Sequence, residues 1–242
     1  MPRAELAFPI KFLIFLLIFA IIAAAFCGLA QTYGTPAEDV LNDPSPAPFT
    51  VVLDAGHGGE DGGAVSASGI YEKDINLAIA MQVKALLEAN GVPVVMTRET
   101  DILLYDRNVD YRGRKKALDL AARRQIAEET PDAIFVSIHM NSYPLSQYSG
   151  LQVWYSPNHE HSQTIAETIQ STVQNNLQPE NDRQIKSATS SIYLLHHLTC
   201  PAVLVECGFL SNPEEAEMLN TPAYQEQLAF LIFLSIMEAQ QS

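Results

Sequence analysis

The sequence predicts an α/β fold: one domain on a mostly parallel or mixed sheet of roughly six strands, with helices on both faces. Three observations carry this. From Phe49 onward, short apolar runs alternate with longer amphipathic segments, the order in which helices connect strands. Most of these runs are nearly all apolar and rich in Val and Ile, as in strands covered on both faces. About 195 residues follow the leader and linker, enough to bury one sizeable core.

Taken in order, residues 1–30 read as a membrane anchor or signal peptide. Arg3 and Lys11 precede an uncharged apolar run from Phe12 to Phe26, which continues through Cys27, Gly28, Leu29 and Ala30. That length approaches the ~20 residues a helix needs to span a bilayer. Gly28-Leu29-Ala30 also suits signal cleavage. The length of the run favours an uncleaved anchor, and under either reading the chain after Gln31 is exported. Phe26 is too bulky to precede a lipoprotein cysteine at Cys27. Residues 31–48 carry Pro36, Pro44, Pro46 and Pro48 among small and acidic residues, which makes an extended tether.

Residues 49–242 form the domain itself. Its strands are expected at Phe49–Asp54, Val92–Thr97, Ala133–Ile138, Leu151–Tyr155, Ser191–Leu195 and Ala202–Glu206. A helix is expected over Lys73–Asn90, where Ile75, Ile79, Val83, Leu86 and Leu87 recur at helical spacing and Asn90-Gly91 can close it. A second, over Arg112–Glu129, is charged, with Leu118, Ala121 and Ile126 turned inward. Ser162–Leu177 and Pro222–Glu238 complete the set, the last with Thr221 as N-cap and Pro222 in its first turn. Its apolar run Leu228–Met237 is too short to span a membrane and is expected to lie against the sheet. Cys200 and Cys207 flank a strand, too far apart for a disulfide, and read as buried thiols.

Composition excludes some partners. The chain is 48% hydrophobic and 17% charged, which fits neither a disordered nor a fibrous protein. A net charge of −14 repels phosphate backbones, so nucleic acid is no partner. Nor does a basic patch draw the domain to anionic lipid.

Four segments carry residues suited to chemistry. Asp54-Ala55-Gly56-His57-Gly58-Gly59-Glu60-Asp61-Gly62-Gly63 follows a strand and leaves His57 uncrowded at its carboxyl edge. A phosphate-cradling loop is disfavoured there, because no GK[ST] or GxGxxG register exists and Glu60 and Asp61 would repel the ligand. Glu72 opens the first long helix, where an acid is also common for helix-dipole reasons. His139 ends the apolar stretch Ser137-Ile138-His139-Met140-Asn141-Ser142, a place where a lone histidine is ordinarily structural. Glu206 ends the all-apolar Val203-Leu204-Val205 and needs a partner or a metal, since an unpaired buried acid is costly. In open α/β sheets ligands bind beyond the carboxyl ends of the strands. His57, His139 and Glu206 are therefore candidates to converge there, with Glu72 entering from a helix start. Two histidines, a glutamate and an open position make a catalytic zinc site, and a further carboxylate can act as base. His159-Glu160-His161 reads as a solvated turn and His196-His197 as a strand end.

The four segments LDAGHGGEDGGA, YEKDINL, SIHMNS and VLVECGFLSN, in this order, resemble the zinc-dependent N-acetylmuramoyl-L-alanine amidases. The resemblance runs from Val51 to about Met237. The short N-terminal anchor, MTRETD and FLSNPEEAEML are most similar to the spore-cortex members. It implies one Zn2+ per chain held by His57, Glu72 and His139, Glu206 as the catalytic carboxylate, and Asn141 lining the substrate site. The implied substrate is peptidoglycan, cleaved between the lactyl group of N-acetylmuramic acid and L-alanine, outside the membrane. An imidazole-and-carboxylate site of modest affinity also leaves room for an activator protein that controls metal loading.

Overall fold

A computed structural model describes residues 49–105, 108 and 112–240. The leader and tether assigned to residues 1–48 lie outside the described residues. Among those described, no helix is long and apolar enough to cross a membrane.

The elements run β1 (Thr50–Ala55), α1 (Glu72–Ala89), β2 (Val94–Met96), α2 (Lys115–Glu129), β3 (Ala133–Asn141) and β4 (Gln152–Tyr155). They continue with α3 (His161–Asn176), β5 (Lys186–Ser187), α4 (Tyr193–His197), β6 (Ala202–Phe209), α5 (Pro213–Leu219) and α6 (Pro222–Ala239). One six-stranded mixed sheet results, in the order β2-β1-β3-β6-β4-β5. β1, β2, β3 and β6 are parallel neighbours, whereas β4 pairs antiparallel with β6 and β5 follows β4.

Alternate residues of each strand serve opposite faces. Val51, Leu53, Ile134, Val136, Val203 and Val205 point into the larger core, with Ile75, Ile79, Val83 and Leu87 of α1, Ile165 and Ile169 of α3, and Leu228 and Ile232 of α6. Val52, Phe135, Ala202 and Leu204 point the other way, to a smaller core with Leu194 and Leu195 of α4. α6 packs along α1 and α3, and α2 packs on α4. Helices therefore cover both faces, as the apolar strands require.

Several expectations are corrected. Ser191–Leu195 is not a strand, nor are His196-His197 a strand end: Tyr193–His197 forms the short helix α4, and His197 Nδ1 lies 2.8 Å from Tyr193 O, one helical turn back. A five-residue apolar run has no period by which to separate the two states. The sixth strand is instead the polar, exposed pair Lys186–Ser187 at the sheet edge. In α2 the buried residues are Asp119, Arg123 and Ala127, while Ala121 is exposed and Leu118 and Ile126 are only partly covered. The inward face of α2 is polar because it meets the buried acid Asp54 at the end of β1. Cys200 and Cys207 are free thiols as expected, but only Cys207, which lies within β6, is fully buried, while Cys200 is partly covered.

Candidate metal centre

β1, β3 and β6 are adjacent and parallel, so their carboxyl ends open on one side of the sheet. His139 and Glu206 occupy facing register positions there, as Cα partners across β3 and β6. Beyond β1 the chain turns through glycines, and His57 itself takes φ +62°, a left-handed conformation uncommon for a residue with a side chain. Gly56 passes directly beneath the His139 ring, where any Cβ would overlap the imidazole. At Gly63, with φ +67°, a Cβ would overlap the Glu72 carboxylate and the His57 ring. Glycine at these two points lets three functional side chains meet.

Glu72 is the hub. It is the first residue of α1 and almost fully buried. Its Oε2 accepts from the Ala64 amide at 2.7 Å, and its Oε1 accepts from the Met140 amide at 3.0 Å. The same Oε1 lies 2.8 Å from His139 Nδ1 and 3.3 Å from His57 Nε2. Burial alone would raise the pKa of Glu72, but the bonds from His139 and His57 hold it far below the carboxylate range. The rings of His57 and His139 meet edge to face, 4.9 Å apart. One ligand atom each from His57, Glu72 and His139 fall within 4.8 Å of one another, the one such group of three among the described residues.

On the far side of His57, Asp61 Oδ2 stands 2.9 Å from Nδ1, close enough for an ion pair though poorly aligned for a hydrogen bond. Burial pulls the His57 pKa down; the Asp61 and Glu72 carboxylates outweigh it and raise the value to about 9. Asp61 in turn falls to about 2, held there chiefly by His57. Glu206 is different. Its Oε2 is buried with no hydrogen-bond partner, although the residue as a whole keeps some exposure. Burial raises its pKa to about 7; nearby His139 and His57 oppose the rise and Glu72 adds to it. An orphaned acid beside three convergent donors fits a site built around a cation and a base. Asn141 ends β3 two residues beyond His139, and its Oδ1 accepts from the Ser142 amide.

The structure adds residues that the sequence reading passed over. Asp54 accepts from Thr97 Oγ1, Arg123 Nη1 and Ser137 Oγ at 2.6–2.8 Å beneath the site. It is a buried acid ending a strand, the same signal that marked Glu206. Asp119 and Arg123 were detectable as an i,i+4 pair in α2. Arg98 and Asn76 gave no local signal, since each bonds to carbonyls remote in sequence.

Two imidazoles, a hub carboxylate and a second carboxylate, gathered where parallel strands end on an α/β sheet, form a site compatible with the zinc of a hydrolase. Residues 51–238 match the family model described as N-acetylmuramoyl-L-alanine amidase, and the chain belongs to that family. It is 37% identical over 187 residues to the germination-specific N-acetylmuramoyl-L-alanine amidase of Bacillus subtilis, covering 77% of this chain and 78% of that relative. Among solved structures it is similar to the CwlD amidase from Clostridioides difficile, solved in complex with the GerS lipoprotein. The TM-score there is 0.76 at 38% identity, over 80% of this chain and 98% of the other. AmiC2 of Nostoc punctiforme, also an N-acetylmuramoyl-L-alanine amidase, gives a TM-score of 0.69 at 32% identity, over 81% and 99%. The chain is an amidohydrolase of this kind, acting on the bond between the lactyl group of N-acetylmuramic acid and L-alanine.

Proposed function

We propose that His57, Glu72 and His139 hold one zinc ion, that Glu206 is the catalytic carboxylate, and that Asn141 contacts substrate. The observation that carries this reading is the convergence of those three donors around Glu72, with the unpartnered Glu206 Oε2 beside them. Bound zinc would supply Lewis acidity toward the scissile carbonyl and toward a water molecule. Glu206 takes the proton of the attacking water and passes it to the alanine nitrogen. The C–O bond forms first; once the nitrogen has received the proton the C–N bond breaks, and the peptide leaves as a neutral amine rather than as an amide anion.

Peptidoglycan lies outside the cytoplasmic membrane, so residues 1–30 serve in this reading to export the domain and residues 31–48 to give it reach. The likeness to a germination-specific amidase supports spore cortex as the natural substrate. That the C. difficile relative was solved in complex with a lipoprotein supports a protein partner for this chain, which in this reading controls metal loading. The test is mass spectrometry of peptidoglycan incubated with the full-length zinc-loaded chain. Free L-alanyl peptides beside intact glycan strands, lost on chelation, are expected; cleavage of any other bond would sink the substrate assignment.

A further inference from the structure

The carbonyls of residues 55–57, which lead from β1 to His57, all turn toward two buried guanidinium groups. Ala55 O accepts from Arg98 Nε and from Arg123 Nη1, each at 2.8 Å. Gly56 O accepts from Arg98 Nη2 at 3.0 Å and from Asn76 Nδ2 at 3.1 Å. His57 O accepts from Arg123 Nη2 at 2.7 Å. Three successive carbonyls cannot face the same side in an extended chain, where they alternate. The segment has to curl, and the curl is completed by the left-handed φ of His57. Such a conformation persists only where its surroundings over-determine it.

The two arginines are themselves fixed from opposite sides. Arg123 reaches up from α2, its Nε on Asp119 Oδ2 at 2.7 Å and its Nη1 on Asp54 Oδ1 at 2.6 Å. Arg98 follows β2, is 3% exposed, and has no carboxylate among the described residues within ion-pairing distance. It directs its remaining bonds to Thr100 O at 3.1 Å and to Lys73 O at 2.7 Å. Lys73 adjoins Glu72. One side chain thus ties the backbone beside His57 to the backbone beside Glu72. Burying a guanidinium with only main-chain acceptors is costly, which is hard to justify for stability alone. Neither arginine bonds a side-chain atom of His57, Glu72 or His139, so both act through the backbone as positioning residues.

We propose that Arg98 and Arg123 form a clamp that sets the approach of His57 to Glu72, and thereby the affinity of the His57–Glu72–His139 site for a divalent metal ion. The proposal rests on the reading that these three residues hold the metal. Lysine in place of Arg98 keeps the charge but cannot span Ala55, Gly56 and Lys73 with one rigid fork.

The experiment compares full-length Arg98→Lys with wild type in three respects. Zinc affinity is read by chelator competition, the site's absorption spectrum after cobalt(II) loading, and the melting temperature of the metal-free chain. Support for a metal ligand from outside its first sphere is typically worth about 10- to 100-fold in affinity, and a loss of that size with an altered cobalt spectrum is expected. Val173→Ala, in the fully buried face of α3, is the stability control: it should lower the melting temperature and leave zinc affinity within about twofold. Arg123→Lys tests the other half of the clamp in the same direction, so one variant that fails to fold leaves the other to decide. Wild-type affinity and spectrum in a folded arginine variant would overturn the clamp, as would an equal affinity loss in Val173→Ala. His57→Ala separates the two levels of the argument. Retained zinc affinity there would remove the metal-site reading itself, while lost affinity there beside an unaffected Arg98→Lys would remove the clamp alone.

Discussion

At the scale of single residues, the site depends on two absent methyl groups and one buried acid. Gly56 lies under the His139 ring and has room for no side chain, so Gly56→Ala is expected to displace the imidazole and abolish zinc uptake, as read by elemental analysis. Asp54 supports the floor of the site. Burial would raise its pKa, but Arg123 and the Ser137 hydroxyl hold it below the ordinary value. A carboxylate depressed in the folded state contributes stability above its unfolded pKa of about 4, and that contribution fades as pH falls toward the folded value. Asp54→Asn leaves Arg123 short of a buried partner and should cost about 3–5 kcal/mol near neutral pH. The gap in urea midpoint between the variant and wild type should narrow below pH 4. A gap independent of pH would mean that Asp54 is not charged in the fold. Of the candidate site residues, His57, His139 and Glu206 stood out in the sequence because each interrupts a local pattern, whereas Glu72, an acid at a helix start, was singled out only by the family resemblance. Arg98 and Asn76 did not stand out, because their function lies in carbonyls brought close only by the sheet.

At the scale of elements, α1 was readable from apolar spacing because its buried stripe is largely hydrophobic, and α6 from the Thr221-Pro222 start. Ile79 of α1 is fully covered, and Ile79→Ala should cost about 2–5 kcal/mol in chemical denaturation. α2 misled for the opposite reason, since its inward face carries Asp119 and Arg123 rather than aliphatic residues. The short helix α5, which the sequence reading passed over, carries its signal in a cap. α5 begins at Pro213 behind Asn212, whose side chain accepts from the amides of Glu214 and Glu215. Asn212→Ala should therefore lower stability by about 1 kcal/mol, seen as a lower melting temperature with activity kept. The reading of Ser191–Leu195 as a strand failed because two adjacent leucines in one turn of α4 look like a buried strand in sequence. β5 left no trace, being two exposed polar residues fixed by pairing with β4.

At the scale of the whole molecule, the fold gathers candidate metal ligands from distant segments at one end of the sheet. β1, β3 and β6 are neighbours in space, and the order of their pairing could not be read from any one segment. The expectation that candidate groups gather towards the carboxyl ends of parallel strands agrees with the geometry, since His57 follows β1 and His139 and Glu206 face each other near the ends of β3 and β6. The central claim is the division of labour between metal ligands and base, and it is tested most directly by zinc content measured together with peptide release. Glu206→Gln should retain about one zinc per chain and release no L-alanyl peptide from peptidoglycan. Turnover at the wild-type rate in Glu206→Gln, or loss of its zinc, would contradict the account.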